Sequence, residues 1–242
     1  SQEEKGKDVI KLKNKDYFKI YSHLCSSFYN KKPKNIIAVT GTNGKTSVTD
    51  FCRQIWSFYG LKSASIGTLG IRETSEQYYH KIRNNLTTLD SSELNKQLSK
   101  LYDKQISYVA LEASSHGINQ NRLDGINFNG AVFTNLSHDH LDYHENMENY
   151  FSAKMKLFTE HLKDGTCVSI NLDDPYGIEL YNKIKTKNFK FVNFGFNEKC
   201  ELKLVQIKRI EKIWQLEILY KNKLYKTDIG LVGHFQIYNA LA

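Results

Sequence analysis

The stretch "NIIAVTGTNGKTSVTDFCRQIW", residues 35–56, decides the fold. It opens as an apolar run, passes through a loop with two glycines and continues as a helical pattern. Gly41 and Gly44 let the backbone wrap a phosphate without Cβ clashes, and successive N–H groups at a helix start supply positive potential there. Lys45 follows where an ammonium reaches the β- and γ-phosphates, and Thr46 where a hydroxyl ligates Mg²⁺. The loop is the short G-x-x-G-K-T form, since Val39 stands where the longer G-x-x-x-x-G-K-[ST] pattern has its first glycine. A chance glycine turn before a helix is the plain alternative. The strand–loop–helix context favours nucleoside triphosphate binding, with Gly41, Thr42, Asn43, Gly44, Lys45, Thr46 and Ser47 as the cradle.

On either side of this unit the pattern continues. Residues 16–30 read as a helix with Tyr17, Ile20, Tyr21, Leu24 and Phe28 on one face. "KSASIG" (62–67) reads as a short strand, and "LDSSELNKQLSKLYDKQ" (89–105) as a helix capped by Ser91 or Ser92, with Leu94, Leu98 and Leu101 inward. "SYVALEA" (107–113), "GAVFTNL" (130–136) and "TCVSINL" (166–172) are near-continuous apolar runs, as in buried parallel strands. A helix is expected over 146–163. From about residue 190 the pattern alternates, and "FKFVNFG", "ELKLVQIKRI", "IWQLEILY" and "KLYKTDIG" suggest an antiparallel sheet. "GHFQIYNALA" (233–242) opens another helix. The expected fold is α/β: a P-loop NTPase-like, mostly parallel sheet flanked by helices, with a smaller antiparallel β flank.

Composition narrows the function classes. With 40% hydrophobic and 12% aromatic residues the chain has material for a packed core, which argues against disorder. Charges interrupt every apolar run too early for a membrane span, and the charged start "SQEEKGKDVIKLKNK" has no secretion-signal core. A net charge of +8 raises nucleic acid as a partner. The lysines are spread along the chain and alternate on the late strands like a solvated face, so no nucleic-acid partner is expected. Cys25, Cys52, Cys167 and Cys200 are scattered without a CxxC pair, which fits free thiols in a reducing cytoplasm.

Three further features carry chemistry. Glu112 closes an apolar strand, well placed to complete a Mg²⁺ site, although a strand-end carboxylate also simply reaches water. "FTNLSHDHLDYHENMENYFSAK" (133–154) crowds His138, Asp139, His140, Asp142 and His144 together. It comes near the H-x-H-x-D-H signature of zinc hydrolases, but Tyr143 breaks the spacing and no later His/Asp pair completes a dinuclear site. Lys154 shares a helix face with Met147, Tyr150, Phe151, Leu157 and Phe158. A desolvated lysine has a lowered pKa, and a neutral amine adds CO₂ to give an anionic carbamate. Snorkelling along the apolar face to water is the alternative.

Together and in this order, "VTGTNGKTS", "NLTT", "LEASSHGINQNRL", "FTNLSHDHLDYHENMENYFSAK", "NLDD" and "GHFQIYNALA" resemble the Mur ligases. The likeness is to the MurE type, which adds the third amino acid to UDP-N-acetylmuramoyl-L-alanyl-D-glutamate in peptidoglycan synthesis. It runs from about residue 35 to the last residue. Folylpolyglutamate synthases share the loop but lack "SSHGxxQxR" and "DHLDYH". The resemblance implies an ATP-dependent, amide-forming ligase of the bacterial cytoplasm, a monomer acting on small molecules through an acyl phosphate. It implies Lys45, His140 and Lys154 as catalytic, and Thr46, Glu112, His140 and a CO₂-derived carbamate on Lys154 around two Mg²⁺. It implies Thr87, Thr88, Ser114, Gln120 and Arg122 on the UDP-muramoyl peptide and Asn239 near the adenine, and gives His116 and Asp142 no chemical step. Leu89 replaces the usual Pro after the threonine pair, which predicts a looser turn. Gln236 replaces a usual Asn, and His138 a common Arg. Residues 1–33 resemble the tail of an N-terminal UDP-binding domain and its linker, and 34–242 a central ATP-binding domain without the C-terminal domain that chooses between diaminopimelate and lysine. On that reading the chain alone binds ATP better than it turns over. A nucleotide-binding module without catalysis is the alternative from another class.

Overall fold

The computed structural model describes residues 16–74 and 86–242. The part of the 1–33 reading that falls on residues 1–15, and Asn85 of "NLTT", lie outside the described residues. In chain order the elements are α1 (Tyr17–Phe28), β1 (Asn35–Thr40), α2 (Lys45–Phe58), β2 (Ser63–Gly67), β3 (Gly70–Glu73), α3 (Ser91–Asp103), β4 (Tyr108–Glu112), α4 (Ser115–Asn119), β5 (Gly130–Phe133) and α5 (Leu141–His144). They continue as α6 (Met147–Glu160), β6 (Cys167–Ile170), α7 (Pro175–Ile184), β7 (Lys190–Phe191), β8 (Phe194–Gly195), β9 (Leu202–Ile210), β10 (Ile213–Tyr220), β11 (Lys223–Ile229) and α8 (Phe235–Leu241).

Seven strands form one sheet in the order β3-β2-β4-β1-β5-β6-β7. Every neighbouring pair is parallel except the β2–β3 hairpin. The apolar runs fill its centre: Ala38, Val39, Val109, Ala110, Leu111 and Ile170 are almost wholly buried. Leu94, Leu98 and Leu101 of α3, and Tyr150, Leu157 and Phe158 of α6, close over the sheet. Each such aliphatic side chain contributes about 2 kcal/mol by leaving water. A parallel sheet brings the carboxyl ends of its strands to one edge, where α/β folds bind ligands. Gly41, Thr68, Ala113, Thr134 and Asn171 each directly follow a strand at that edge.

Three local expectations change. The cap of α3 is Asp90, whose side chain accepts from Ser92 N and Glu93 N at 3.1 Å, and not Ser91 or Ser92. The expected antiparallel flank is a mixed sheet, β11-β10-β9-β8, because β8 runs parallel to β9. "FKFVNFG" is divided: β7 extends the large sheet beside β6, and past Asn193 the chain joins the small sheet as β8 while Phe194 still bridges Asn171. There Asn193 N donates to Glu201 Oε2 at 2.7 Å in place of a ladder partner. Leu204 and Leu216 of the small sheet bury Ile237 and so dock α8.

The grouped apolar residues of α1 are the outer side of that helix, with Phe28 80% exposed. Ser22, Cys25 and Ser26 face inward instead. These small side chains allow close approach, and their hydroxyls find partners: Ser26 Oγ donates to Gly125 O at 2.7 Å, and Ser22 bonds Ser91. No helix among the described residues is long and apolar enough to cross a membrane.

Candidate active site

The loop after β1 is held on all sides. Gly44 takes φ +88°, a left-handed turn that starts α2. Thr42 N donates to Asn135 O and Asn43 N to Asn135 Oδ1, both at 2.9 Å, while Thr134 Oγ1 donates to Asn43 O at 2.6 Å. The Thr42 hydroxyl accepts from Ser137 N at 3.0 Å and lies 3.2 Å from Tyr150 Oη. A methyl group on Gly41 would overlap Thr134 Oγ1. Lys45 Nζ donates to Gly41 O at 2.9 Å and Thr42 O at 2.8 Å.

Lys154 is 1% exposed and does not snorkel. Its Nζ donates to Gly41 O at 2.8 Å and lies 4.5 Å from the centre of the Tyr150 ring. Burial, then the charge of Lys45, push its pKa well below the usual lysine value, against the attraction of Asp139. The side-chain nitrogens of Lys45 and Lys154 thus both donate to the Gly41 carbonyl.

Glu112 is buried as well, and does not reach water. Thr68 N donates to its Oε1 at 2.9 Å and Thr68 Oγ1 to its Oε2 at 3.2 Å. Burial raises its pKa, opposed by bonds from Thr68 and Thr46 and by the charge of Lys45. A buried carboxylate facing Thr46 beside the glycine loop is a fitting donor set for Mg²⁺, which takes one or two carboxylates and completes its shell with phosphate and water oxygens.

The histidine segment does not gather into a metal centre. His138, Asp139 and His140 are exposed, and His140 takes φ +53° with its N–H on the Asp139 carboxylate at 2.9 Å. Among the described residues no three His, Cys, Asp or Glu side chains come together to hold an ion. His144 turns inward, its Nε2 2.9 Å from Ser115 Oγ. Burial and the charge of His116 lower its pKa to about 4. His116 lies against Tyr143 at 4.0 Å and edge-on to His140 at 5.1 Å between ring centres. The zinc-hydrolase reading finds no support in this arrangement.

All five residues expected to contact the muramoyl peptide connect to Glu112. Thr88 Oγ1 donates to Glu112 O at 2.9 Å, accepts from Ser114 N at 2.8 Å and lies 3.0 Å from Ser114 Oγ. Arg122 donates to Thr88 O at 2.7 Å and to Gln120 Oε1 at 2.6 Å, and Thr87 Oγ1 accepts from Thr68 at 3.2 Å. The turn is not loose: Leu89 is buried in the core directly after the bonded Thr88. Asn239 packs against Gly44 and donates to Gln236 Oε1 at 2.9 Å, so Gln236 keeps a polar partner for it. A cavity of about 710 Å³ opens here, lined by Asn43, Gly44, Ser47, Asp173, Tyr238 and Asn239 among others.

Sequence reading missed Thr68, Asn135 and Tyr150. A signal for Thr68 was available: Gly67-Thr68-Leu69-Gly70 repeats the G-T-x-G spacing of Gly41-Thr42-Asn43-Gly44, each at a strand end. Spacing places Tyr150 beside Lys154, but the contacts of Asn135 and of the Tyr150 hydroxyl with the loop are tertiary and spacing does not encode them.

Fold and loop define the class, an α/β domain with a glycine loop leading into a helix at the carboxyl edge of a mostly parallel sheet. A family model described as Mur ligase middle domain matches residues 39–242, and the chain belongs to the Mur ligase family. It is 38% identical over 224 residues to a UDP-N-acetylmuramoyl-L-alanyl-D-glutamate–2,6-diaminopimelate ligase of Agrobacterium fabrum, covering 92% of this chain and 45% of that protein. It is 41% identical over 215 residues to the ligase of the same name from Rickettsia bellii, covering 88% and 45%. A solved structure of a ligase with this name superposes with a TM-score of 0.83 at 28% identity, over 96% of this chain and 47% of that one. The apo form of L. casei FPGS shares the fold at a TM-score of 0.72 and 14% identity, over 96% and 62%. The chain thus spans less than half the length of the curated relatives it matches.

Proposed function

We propose that this chain is the nucleotide-binding part of an ATP-dependent ligase that joins 2,6-diaminopimelate to UDP-N-acetylmuramoyl-L-alanyl-D-glutamate, the third-residue step of peptidoglycan precursor synthesis. The observation that carries it is the placement of Glu112: its carboxylate faces Thr46 and Lys45 of the glycine loop and is bonded by Thr68, which reaches Thr87, while its main-chain carbonyl accepts from Thr88, which links Ser114, Arg122 and Gln120. A phosphoryl donor and a carboxylate acceptor need such adjacency. The choice of diaminopimelate over lysine comes from the names of the relatives.

In this reading residues 41–47 bind the triphosphate, and Asn239 closes the adenine side. Lys45 and Arg122 offset the repulsion between the substrate carboxylate and the γ-phosphate. The carboxylate oxygen attacks the γ-phosphorus, the bond to the β-phosphate oxygen breaks, and an acyl phosphate and ADP result. The incoming amine then attacks the acyl carbon, loses a proton, and the tetrahedral intermediate expels phosphate to leave an amide. Thr46, Glu112 and His140 would hold Mg²⁺, which supplies charge neutralisation on the transferring phosphoryl group. Lys154 is also assigned to this set. Its lowered pKa favours the free amine, which adds CO₂, loses a proton and becomes an anionic ligand.

The domain limits belong to the same proposal, with 34–242 as a central ATP-binding domain and the residues before it as the end of a UDP-binding domain. So do a monomer and the bacterial cytoplasm, where ATP and UDP-sugars are found. The test uses the complete gene product with UDP-N-acetylmuramoyl-L-alanyl-D-glutamate, ATP and Mg²⁺, following phosphate release with meso-diaminopimelate and lysine in turn. Release that depends on diaminopimelate is expected. ATP binding without release under either amino acid would leave a nucleotide-binding module.

A further inference from the structure

We propose that Thr68 is a positioning residue that aims the Glu112 carboxylate and links it to the substrate side through Thr87; this rests on the ligase reading above. Thr68 sits in the turn after β2, beside β4 in the sheet, so its backbone arrives next to the end of β4. The approach is close: a methyl group on Gly67 would overlap the Glu112 carboxylate. The Thr68 N–H takes one lone pair of Oε1 at 2.9 Å, and its hydroxyl reaches Oε2 at 3.2 Å. Both carboxylate oxygens are thereby oriented by one residue. Outer partners of this kind set the direction of a metal-binding carboxylate.

The hydroxyl has a second acceptor. Thr87 Oγ1 also lies 3.2 Å from Thr68 Oγ1, and a hydroxyl has a single proton to give. With the proton on Oε2, one carboxylate oxygen is partly spoken for. When Thr87 gives its own proton to a bound substrate oxygen, its oxygen becomes the better acceptor for Thr68. Oε2 is then released towards a cation. Occupation at Thr87 and cation binding at Glu112 are coupled by this switch, and coupling of binding free energies is reciprocal. Thr68 itself is exposed, so the fold does not depend on its side chain.

The substitution Thr68→Val isolates the hydroxyl, because the backbone N–H bond survives it. Thr68→Ser keeps the hydroxyl. On the complete gene product, Mn²⁺ binding is measured by its paramagnetic signal with a non-hydrolysable ATP analogue, with and without UDP-N-acetylmuramoyl-L-alanyl-D-glutamate. The expected result is tighter Mn²⁺ binding on adding the UDP substrate in the wild type. In the Val variant, Mn²⁺ affinity falls about 10-fold and the substrate effect disappears, while the Ser variant keeps both and the melting temperature is unchanged. A Val variant that matches the wild type in affinity and substrate response overturns the proposal. So does a Ser variant as impaired as the Val one, since shape rather than the hydroxyl would then matter. Ligation by the wild type, followed alongside, separates this failure from that of the ligase reading: phosphate release with an unaffected Val variant removes Thr68 alone, and no release removes both.

Discussion

The phosphate loop and the histidine segment are equally conspicuous in the sequence, yet they fold in opposite ways. In the loop, Thr42 and Asn43 bond residues 134–137 and Lys45 bonds the loop itself, so the cradle is formed by the protein alone. In the segment, His138, Asp139 and His140 lie exposed, and only His144 turns into the core. A phosphate cradle is made of backbone, which must satisfy its own N–H and C=O groups whatever binds. Side-chain ligands carry no such demand and do not converge unless packing forces them.

Lys154 belongs to both regions, and its loss has the largest expected effect. Lys154→Ala in the complete gene product is expected to lower kcat for ligation about 1,000-fold, with short-chain carboxylates restoring part of it. An Ala variant with wild-type phosphate release would end the carbamate assignment. Next, Gly41→Ala places a methyl group on Thr134, and overpacking of this kind costs about 1–3 kcal/mol. Loss of ATP affinity with a lower melting temperature is expected; calorimetric titration that finds wild-type affinity would show the loop to be more pliable than its bonds imply.

The inward histidine gives a smaller effect with a defined pH window. With its pKa lowered from 6.5 to about 4, the folded chain refuses a proton that the unfolded chain accepts. Stability is therefore unaffected above 6.5, falls as pH drops from 6.5 to about 4, and levels off below. The loss is on the order of 1–2 kcal/mol. Denaturant titrations of wild type and His144→Gln across this range should diverge in slope, and parallel slopes would mean that His144 is not the group responsible. Smallest of all, exposed His138 should tolerate Ala with less than about a twofold change in ligation rate.

The parts legible in sequence are those whose signal is local. The run from Asn35 to Trp56 carries strand, loop and helix in one stretch, and the apolar neighbours of Lys154 announce its burial. The misread parts turn on choices between equals. Asp90, Ser91 and Ser92 all cap helices well, and burial of Leu89 just before them accompanies the choice of Asp90. On α1 the apolar residues are grouped as an inner face should be, but the serines across from them have partners on α3 and at Gly125. The division of 189–195 between two sheets depends on Glu201, which periodicity within the segment does not see. Thr68 carried a local signal in its G-T-x-G turn, but its partner Glu112 lies 44 residues away and is not marked by it.

The position of Lys45 has a calorimetric consequence. Its side chain already donates to the carbonyls of Gly41 and Thr42, so on the proposed reading an arriving triphosphate would exchange these bonds for others instead of meeting a bare cation. The heat released on binding then reflects only the difference between the two sets. With so small a heat, association of a triphosphate is expected to change little on warming over the range where the fold holds.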